Sequence, residues 1–128
     1  MVRILIVDDV QIMRIGLASL LSLEPDLHVC GAAASGEQGL TVARQTRPDV
    51  VLMDIRMPGL DGVEATRRIV RELPRTRVVV LTGEPSQESR LAALEAGAAD
   101  YVVKDAVPAT VLEAVRRAWD GRATDGPD

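Results

Sequence analysis

The sequence contains almost no cysteine and no long apolar run. Cys30 is the only cysteine among 128 residues, so an internal disulfide cannot form and the class of small secreted disulfide-stabilised domains is excluded. No apolar run approaches the roughly 18 residues that a membrane-spanning helix needs, and the N-terminus begins with a strand pattern rather than a signal peptide. We therefore expect a protein of a reducing compartment, the cytoplasm.

Basic residues are outnumbered by acidic ones, 15 to 19. The formal net charge is −4, which argues against nucleic-acid binding by this segment, because neutralising phosphates requires a basic surface. Lysine occurs once, at Lys104, against 14 arginines, a hint that this position requires a compact ammonium group. The length and a hydrophobic content of 47% predict a globular domain with one sizeable core.

Five short apolar segments alternate with five helical patterns. The predicted strands cover residues 3–7, 27–33, 49–54, 77–82 and 100–104. The predicted helices cover residues 10–23, 35–47, 61–73 and 86–96, and a last one begins at Pro108. Asp9 and Asp61 are the expected N-caps of the first and third helices, and Gly97 the C-cap of the fourth. The alternation predicts an α/β fold, a doubly wound parallel sheet with helices on both faces.

The segment 50–59 is the most informative stretch of the chain. Four apolar residues precede Asp54, and the turn residues Pro58 and Gly59 follow it. A continuous apolar run bounded by turn residues predicts a strand that is buried on both faces. Asp54 would then lie at the carboxyl end of this strand, where open α/β sheets bind their ligands.

Polar side chains also end three of the other strands. Asp8 and Asp9 follow the first strand, Thr82 ends the fourth and Lys104 ends the fifth. These groups are expected to meet Asp54 at one edge of the sheet. Two carboxylates about 4–5 Å apart repel by roughly 3–4 kcal/mol at an effective dielectric constant near 20. A proton or a cation must relieve that repulsion, and oxygen ligands with open coordination positions suit Mg²⁺.

A phosphoryl group would complete such a site. The metal would neutralise charge on this group while Asp54 attacks the phosphorus in line. Lys104 and the hydroxyl of Thr82 would hold two of its oxygens, and the backbone N–H groups of Ile55 and Gly83 would bind others.

Several of these motifs together resemble one known family. Asp8-Asp9, the run MDIRMPGLDG around Asp54, Thr82-Gly83 and the run AGAADYVVKD are similar to the receiver domain of two-component response regulators. The resemblance covers residues 3 to about 120. It implies a flavodoxin-like (βα)5 sheet with the strand order 2-1-3-4-5. It also implies a signalling protein that catalyses its own phosphorylation and dephosphorylation rather than an enzyme with a separate substrate.

The resemblance assigns roles to the acidic residues. Asp54 matches the aspartate that takes a phosphoryl group from a histidine kinase or a small phosphodonor. Asp8 and Asp9 match the pair that binds the metal together with Asp54. Arg56 matches the position that contributes its backbone carbonyl to that metal, which is Mg²⁺ or alternatively Mn²⁺.

The resemblance also implies a conformational switch. Thr82 and Lys104 match the two side chains that sense the phosphoryl group. Tyr101 matches an aromatic residue that rotates inward when the threonine hydroxyl is drawn toward phosphate. Such a switch requires two states with different contacts. An ordinary half-buried strand aromatic is the alternative for Tyr101.

Within the family, the run YVVKDAVPATVLEAVRRAW is most similar to receivers of the LuxR type, which precede a C-terminal helix-turn-helix DNA-binding domain. We expect the receiver domain to cover residues 1–120, and residues 121–128 to form a linker or tail toward such an output domain. A fragment of a longer transcription regulator is favoured over a free-standing receiver. Asp105 occupies a position where many receivers have proline, so a cis bond after Lys104 would be more costly here.

Two further surfaces have predicted functions. Arg56 and Glu84 follow Asp54 and Thr82 by two residues, and an ion pair between them would hinder water and so tune the lifetime of the acyl phosphate. The first helix has a second apolar side that includes Ile12, Ile15 and Leu23. With Val115 and Trp119 of the last helix it forms a candidate homodimer face, while the fourth helix, fifth strand and fifth helix form the alternative face.

Two other functions compete with a phosphorylated receiver. A non-phosphorylated interaction module with the same fold should have lost at least one site residue, and none is missing here. A phosphatase of the haloacid dehalogenase type would need a second aspartate two residues after Asp54 as its general acid and base. Position 56 is arginine, so that chemistry lacks its proton carrier.

Overall fold

The computed structural model describes residues 1–104 and 108–124 and shows five strands alternating with five helices along these residues. The strands are β1 (Val2–Val7), β2 (Leu27–Ala33), β3 (Val50–Asp54), β4 (Arg77–Thr82) and β5 (Asp100–Val103). The helices are α1 (Gln11–Ser22), α2 (Gly36–Thr46), α3 (Gly62–Glu72), α4 (Gln87–Glu95) and α5 (Pro108–Thr124).

All strands are parallel, and their order in the sheet is β2-β1-β3-β4-β5. The chain therefore winds outward in both directions from β1, which confirms the predicted doubly wound fold. Every residue of β3 is buried, as its unbroken apolar run predicts for a central strand covered on both faces.

The core consists of two layers, one on each face of the sheet. Alternate residues of a strand point to opposite faces, so Leu5 and Val7 pack with α2 and α3, whereas Ile4 and Ile6 pack with α1 and α5. None of the helices that the structure describes is long and apolar enough to cross a lipid bilayer.

The predicted helix starts are mostly confirmed. Asp61 caps α3 by accepting a hydrogen bond from the N–H of Glu64, and α5 begins at Pro108. Gly97, just beyond α4, has a φ of +106°, which glycine adopts without the strain of a Cβ. The predicted cap at Asp9 is wrong, because Val10 takes the extended N-cap conformation and α1 begins only at Gln11.

The last helix extends beyond its apolar periodicity. It ends at Thr124 and so includes residues 121–124 of the segment predicted as a linker or tail. Helical hydrogen bonding continues here although the apolar periodicity has ended, because Arg122 and Ala123 are good helix formers. The predicted linker residues 125–128 and the departure at Asp105 lie outside the described residues.

The first turn of α3 lies directly against the end of β3. A Cβ added to Gly62 would come within 2.1 Å of the backbone oxygen of Asp54 and 2.7 Å of the Cα of Ile55. Both neighbours are backbone atoms, which cannot move without displacing the end of the strand. Glycine at this position therefore permits the close approach that sets where Asp54 lies.

We expect Gly62→Ala to lower the free energy of unfolding by about 2–3 kcal/mol, the usual cost of overpacking. Gly16→Ala is the matched control, since an added Cβ at Gly16 meets nothing within 4 Å. That change should raise stability by about 0.5–1 kcal/mol through helix propensity. Urea denaturation of both variants measures the difference, and equal effects would contradict the steric argument.

Candidate functional site

Four adjacent strands deliver polar side chains to one edge of the sheet. Asp8 follows β1, Asp54 ends β3, Thr82 ends β4 and Lys104 follows β5. These strands are neighbours in the order β1-β3-β4-β5, and β2, on the other side of β1, contributes none of these groups. The sheet thus brings together the residues that the sequence indicated.

The ammonium group of Lys104 links two of the carboxylates. Its Nζ lies 2.9 Å from Oδ2 of Asp8 and 3.2 Å from Oδ1 of Asp54. The side chain of Lys104 is only 17% exposed, and both carboxylates are buried. Charge attraction acts strongly in such a setting because water screens it little.

Asp8, Asp9 and Asp54 form a cluster of oxygen ligands. One ligand atom from each lies within 4.8 Å of the others, and Asp9 is the exposed member. Oδ1 of Asp8 accepts a hydrogen bond from the N–H of Val10, while the buried Oδ2 has its ionic contact with Lys104 but no hydrogen bond of good geometry. This donor set fits a hard divalent cation that enters from the side of Asp9.

The environment of Asp54 raises its pKa to about 6. Burial is the largest cause, because it removes water from the carboxylate, and the negative charge of Asp8 adds to it. Lys104 and the N–H of Arg56 act in the opposite direction. For Lys104, burial works to lower the pKa, but the contacts with Asp8 and Asp54 outweigh it and leave the pKa raised.

The backbone N–H groups of Ile55 and Arg56 have different hydrogen-bond acceptors. The N–H of Ile55, predicted to bind a phosphoryl oxygen, donates instead to the carbonyl of Leu81 at 3.2 Å. The N–H of Arg56 lies 3.3 Å from Oδ1 of Asp54. Successive N–H groups of an extended chain point to opposite sides, so the donor nearest the carboxylate is one residue later than expected.

Thr82 and Gly83 form the neighbouring wall of the site. Thr82 is fully buried, and its hydroxyl accepts a hydrogen bond of 3.1 Å from the N–H of Glu84. A Cβ added to Gly83 would meet only the side chain of Lys104, at 3.8 Å. The space above Gly83 is therefore open toward the lysine.

Arg56 and Glu84 form the expected ion pair. Nη2 of Arg56 lies 3.2 Å from Oε2 of Glu84, and the two side chains are 70% and 68% exposed. Such an exposed pair contributes little to stability. The pair lies beside the site, because Arg56 follows Asp54 by two residues and Glu84 follows Thr82 by two residues.

Tyr101 makes its polar contacts with the start of α4. Its hydroxyl oxygen forms a short hydrogen bond with Oγ of Ser89 and accepts a bond of 3.2 Å from the N–H of Ser86. The guanidinium of Arg90 lies over the ring, 6.0 Å from its centroid. Sequence reasoning missed both serines, because nothing in their spacing indicates a partner on β5.

The candidate dimer face of α1 is only partly as predicted. Ile12 and Leu23 are strongly exposed, at 71% and 78%, and Ile15 is exposed as well. Val115 was expected to share this face, but it is fully buried against the sheet. Val115 and Trp119 are four residues apart and so share one side of α5, but this spacing does not tell whether that side faces the sheet or the solvent.

Most of the sequence matches the model of one protein family. Residues 4–116 match the response regulator receiver domain. The chain belongs to the response regulator receiver domain family.

Individual proteins similar to this chain are also regulators of this kind. The chain is 40% identical over 121 residues to the transcriptional regulatory protein LiaR of Bacillus subtilis, an alignment that covers 94% of this chain and 57% of that protein. It is 41% identical over 127 residues to the response regulator GacA of Pseudomonas viridiflava, covering 99% of this chain and 59% of the relative. The receiver chain spans about three fifths of the length of these relatives.

Solved structures show the same likeness. A two-component response regulator of the LuxR family from Aurantimonas sp. SI85-9A1 superposes with a TM-score of 0.90 at 36% identity, over 94% of this chain and 86% of that one. This confirms that the receiver is similar to the LuxR-type subgroup.

We expect Asp54→Asn to stabilise the metal-free protein more at high pH than at low pH. The pKa of Asp54 is raised from 3.8 to about 6 in the folded state, so stability is lost as pH rises through this interval and the carboxylate must ionise while buried. Asparagine has no such loss. The gain from the substitution should grow by about 2 kcal/mol between about pH 4.5 and pH 8.

Urea denaturation in the presence of a chelator at both pH values measures this gain. Asp120→Asn, at an exposed position on α5, controls for the substitution itself. A gain for Asp54→Asn that is the same at both pH values would show that burial does not disfavour the ionised carboxylate.

Proposed function

We propose that Asp54 is the phosphoacceptor of this receiver domain and takes a phosphoryl group from a sensor histidine kinase or a small phosphodonor. The observation that carries the proposal is the contact of one half-buried lysine with both Asp8 and Asp54, beside the buried Thr82. A positive group fixed between two buried carboxylates leaves a place where an anion can be held against its nucleophile.

The metal site would be formed by Asp8, Asp9, Asp54 and the backbone carbonyl of Arg56. Mg²⁺, or alternatively Mn²⁺, fits the oxygen donors that the structure brings within 4.8 Å of one another. Bound there, it would supply electrostatic neutralisation of phosphoryl oxygens.

The protein's own groups carry the transfer. An oxygen of Asp54 forms the new bond to phosphorus as the bond to the donor's leaving atom breaks. With a pKa of about 6, Asp54 is mainly ionised at neutral pH and so is competent as the nucleophile. Lys104, the hydroxyl of Thr82 and the N–H groups of Arg56 and Gly83 would hold the oxygens of the transferred group.

The switch would begin at Thr82. Its hydroxyl accepts a hydrogen bond from the N–H of Glu84, and its own O–H would donate to a phosphoryl group on Asp54 and so draw the side chain toward that group. Tyr101 is held by Ser86 and Ser89 at the start of α4, so movement of Thr82 and Tyr101 would be transmitted to α4 and β5. The present arrangement and the one after this movement would be the two states, and phosphorylation would shift the population toward the second.

The output of the switch is proposed from the relatives. LiaR is named a transcriptional regulatory protein, and a C-terminal helix-turn-helix domain that binds DNA would serve this role in the full-length protein. The receiver itself, with a net charge of −4, is not expected to bind nucleic acid, and the whole would act in the cytoplasm. A homodimer through the exposed side of α1 or through α4, β5 and α5 would couple phosphorylation to DNA binding.

We expect beryllofluoride, an analogue of the phosphoryl group, to bind only with Mg²⁺ and to shift the amide resonances of Thr82, Tyr101 and α4. Asp54→Ala is the blank, because it removes the nucleophile. Two-dimensional NMR measures the response, with light scattering on the same samples to detect a dimer. No metal-dependent shift at any concentration would favour the non-phosphorylated interaction module, and an unchanged monomer would count against the dimer.

The exposed pair of Arg56 and Glu84 should tune hydrolysis of the acyl phosphate. Replacing Arg56 by methionine removes the pair and opens the entrance to water, so we expect dephosphorylation to accelerate by at most about five-fold, in keeping with the small energy of exposed pairs. The double exchange Arg56→Glu with Glu84→Arg restores a pair and should restore the slower rate. Loss of radiolabelled phosphate measures both, and three identical rates would remove this role.

A further inference from the structure

Arg14 of α1 contacts the backbone of Asp8, and its position on the helix does not predict this contact. Its Nη1 donates a hydrogen bond of 2.7 Å to the backbone carbonyl of Asp8. Arginine near the start of a helix is disfavoured by the helix dipole, and α1 has neither an acidic residue in its first turn nor a side-chain cap. The guanidinium reaches back across this N-terminus to the residue that precedes Asp9.

Asp8 is fixed by contacts from several directions. Its N–H donates to the carbonyl of Ala33 at 3.0 Å, and its carboxylate is held by the N–H of Val10 and by Lys104. Arg14 takes the remaining polar group, the carbonyl. That carbonyl belongs to the peptide plane that joins Asp8 to Asp9, and the plane is rigid. The hydrogen bond from Arg14 therefore sets the direction in which the chain leaves Asp8.

Asp9 depends on this direction more than its two partners do. Asp8 and Asp54 are buried among fixed neighbours, whereas Asp9 is exposed. Its carboxylate nevertheless lies within 4.8 Å of the other two ligand atoms. We propose that Arg14 is a positioning residue of the divalent-cation site, which orients the peptide between Asp8 and Asp9 so that the Asp9 carboxylate faces the buried pair. The inference rests on the proposed metal site.

A positioning role of Arg14 and a purely electrostatic role predict opposite changes in Mg²⁺ affinity when Arg14 is replaced. A cation beside three carboxylates repels a divalent metal, so its removal would tighten binding if charge alone mattered. If Arg14 orients the peptide, its removal costs the metal one well-placed ligand and weakens binding. The sign of the change in Mg²⁺ affinity therefore separates the two effects.

The experiment is a calorimetric titration of the chain with Mg²⁺ alone, without a phosphodonor. Arg14→Met keeps the apolar stem and removes the donor, and its dissociation constant should rise about 3- to 10-fold, the range for one hydrogen bond. Arg14→Lys keeps a charged donor and should return to within about two-fold of the wild type. Arg44→Met is the matched control, a half-exposed helix arginine that pairs with Glu72, and should bind Mg²⁺ unchanged.

Two further measurements make each outcome decisive. Amide NMR of the metal-free variants should show shifts at Asp9 and Val10 for Arg14→Met but not for Arg44→Met. If Arg14→Met does not fold, Arg14→Gln is used in its place and is held to the same expectation. A wild type that binds no Mg²⁺ would defeat the proposed metal site itself. A wild type that binds, with equal or tighter binding by the folded Arg14 variant, would overturn the positioning role alone.

Discussion

The repulsion between buried carboxylates is the constraint on which the site depends. Asp8 and Asp54 lie in a region with little water, and the charge of Asp8 makes the ionised form of Asp54 less favourable. Lys104 offsets this repulsion by contacting both. The compensation is incomplete, since the pKa of Asp54 remains at about 6. A site in this condition favours any additional cation that oxygen ligands can hold, and Asp54, although its pKa is raised, is still mainly ionised at neutral pH.

The parallel sheet is what makes such a concentration of charge tolerable. Its strands end along one line, so each polar group is supplied by a different strand whose remaining residues are buried in the core. The stability gained from the apolar strands offsets the cost of the polar edge. The close contact between Gly62 and the end of β3 shows the same relation, because the packing of α3 helps to determine where the Asp54 carboxylate lies.

The residues around the site divide into fixed and adjustable groups. Asp8 is held from four directions, including by Arg14. Thr82 and Tyr101, in contrast, are held by hydrogen bonds to Glu84, Ser86 and Ser89, all in or near the exposed start of α4. Fixed ligands suit a metal site, and replaceable hydrogen bonds suit a switch. The fixed contacts lie around Asp8, and the replaceable ones lie toward α4.

The sequence by itself determined the fold class, the strand order through its family resemblance, and the cluster of Asp8, Asp54, Thr82 and Lys104, because apolar runs that end in polar residues have one arrangement in a parallel sheet. Only the tertiary structure decided which N–H faces Asp54, that Val115 is buried and that Val10 rather than Asp9 precedes the first helix. It also decided that Arg14 contacts Asp8 and that Ser86 and Ser89 contact Tyr101. These features depend on side-chain reach and on the direction of single peptide planes, for which hydrophobic periodicity carries no signal.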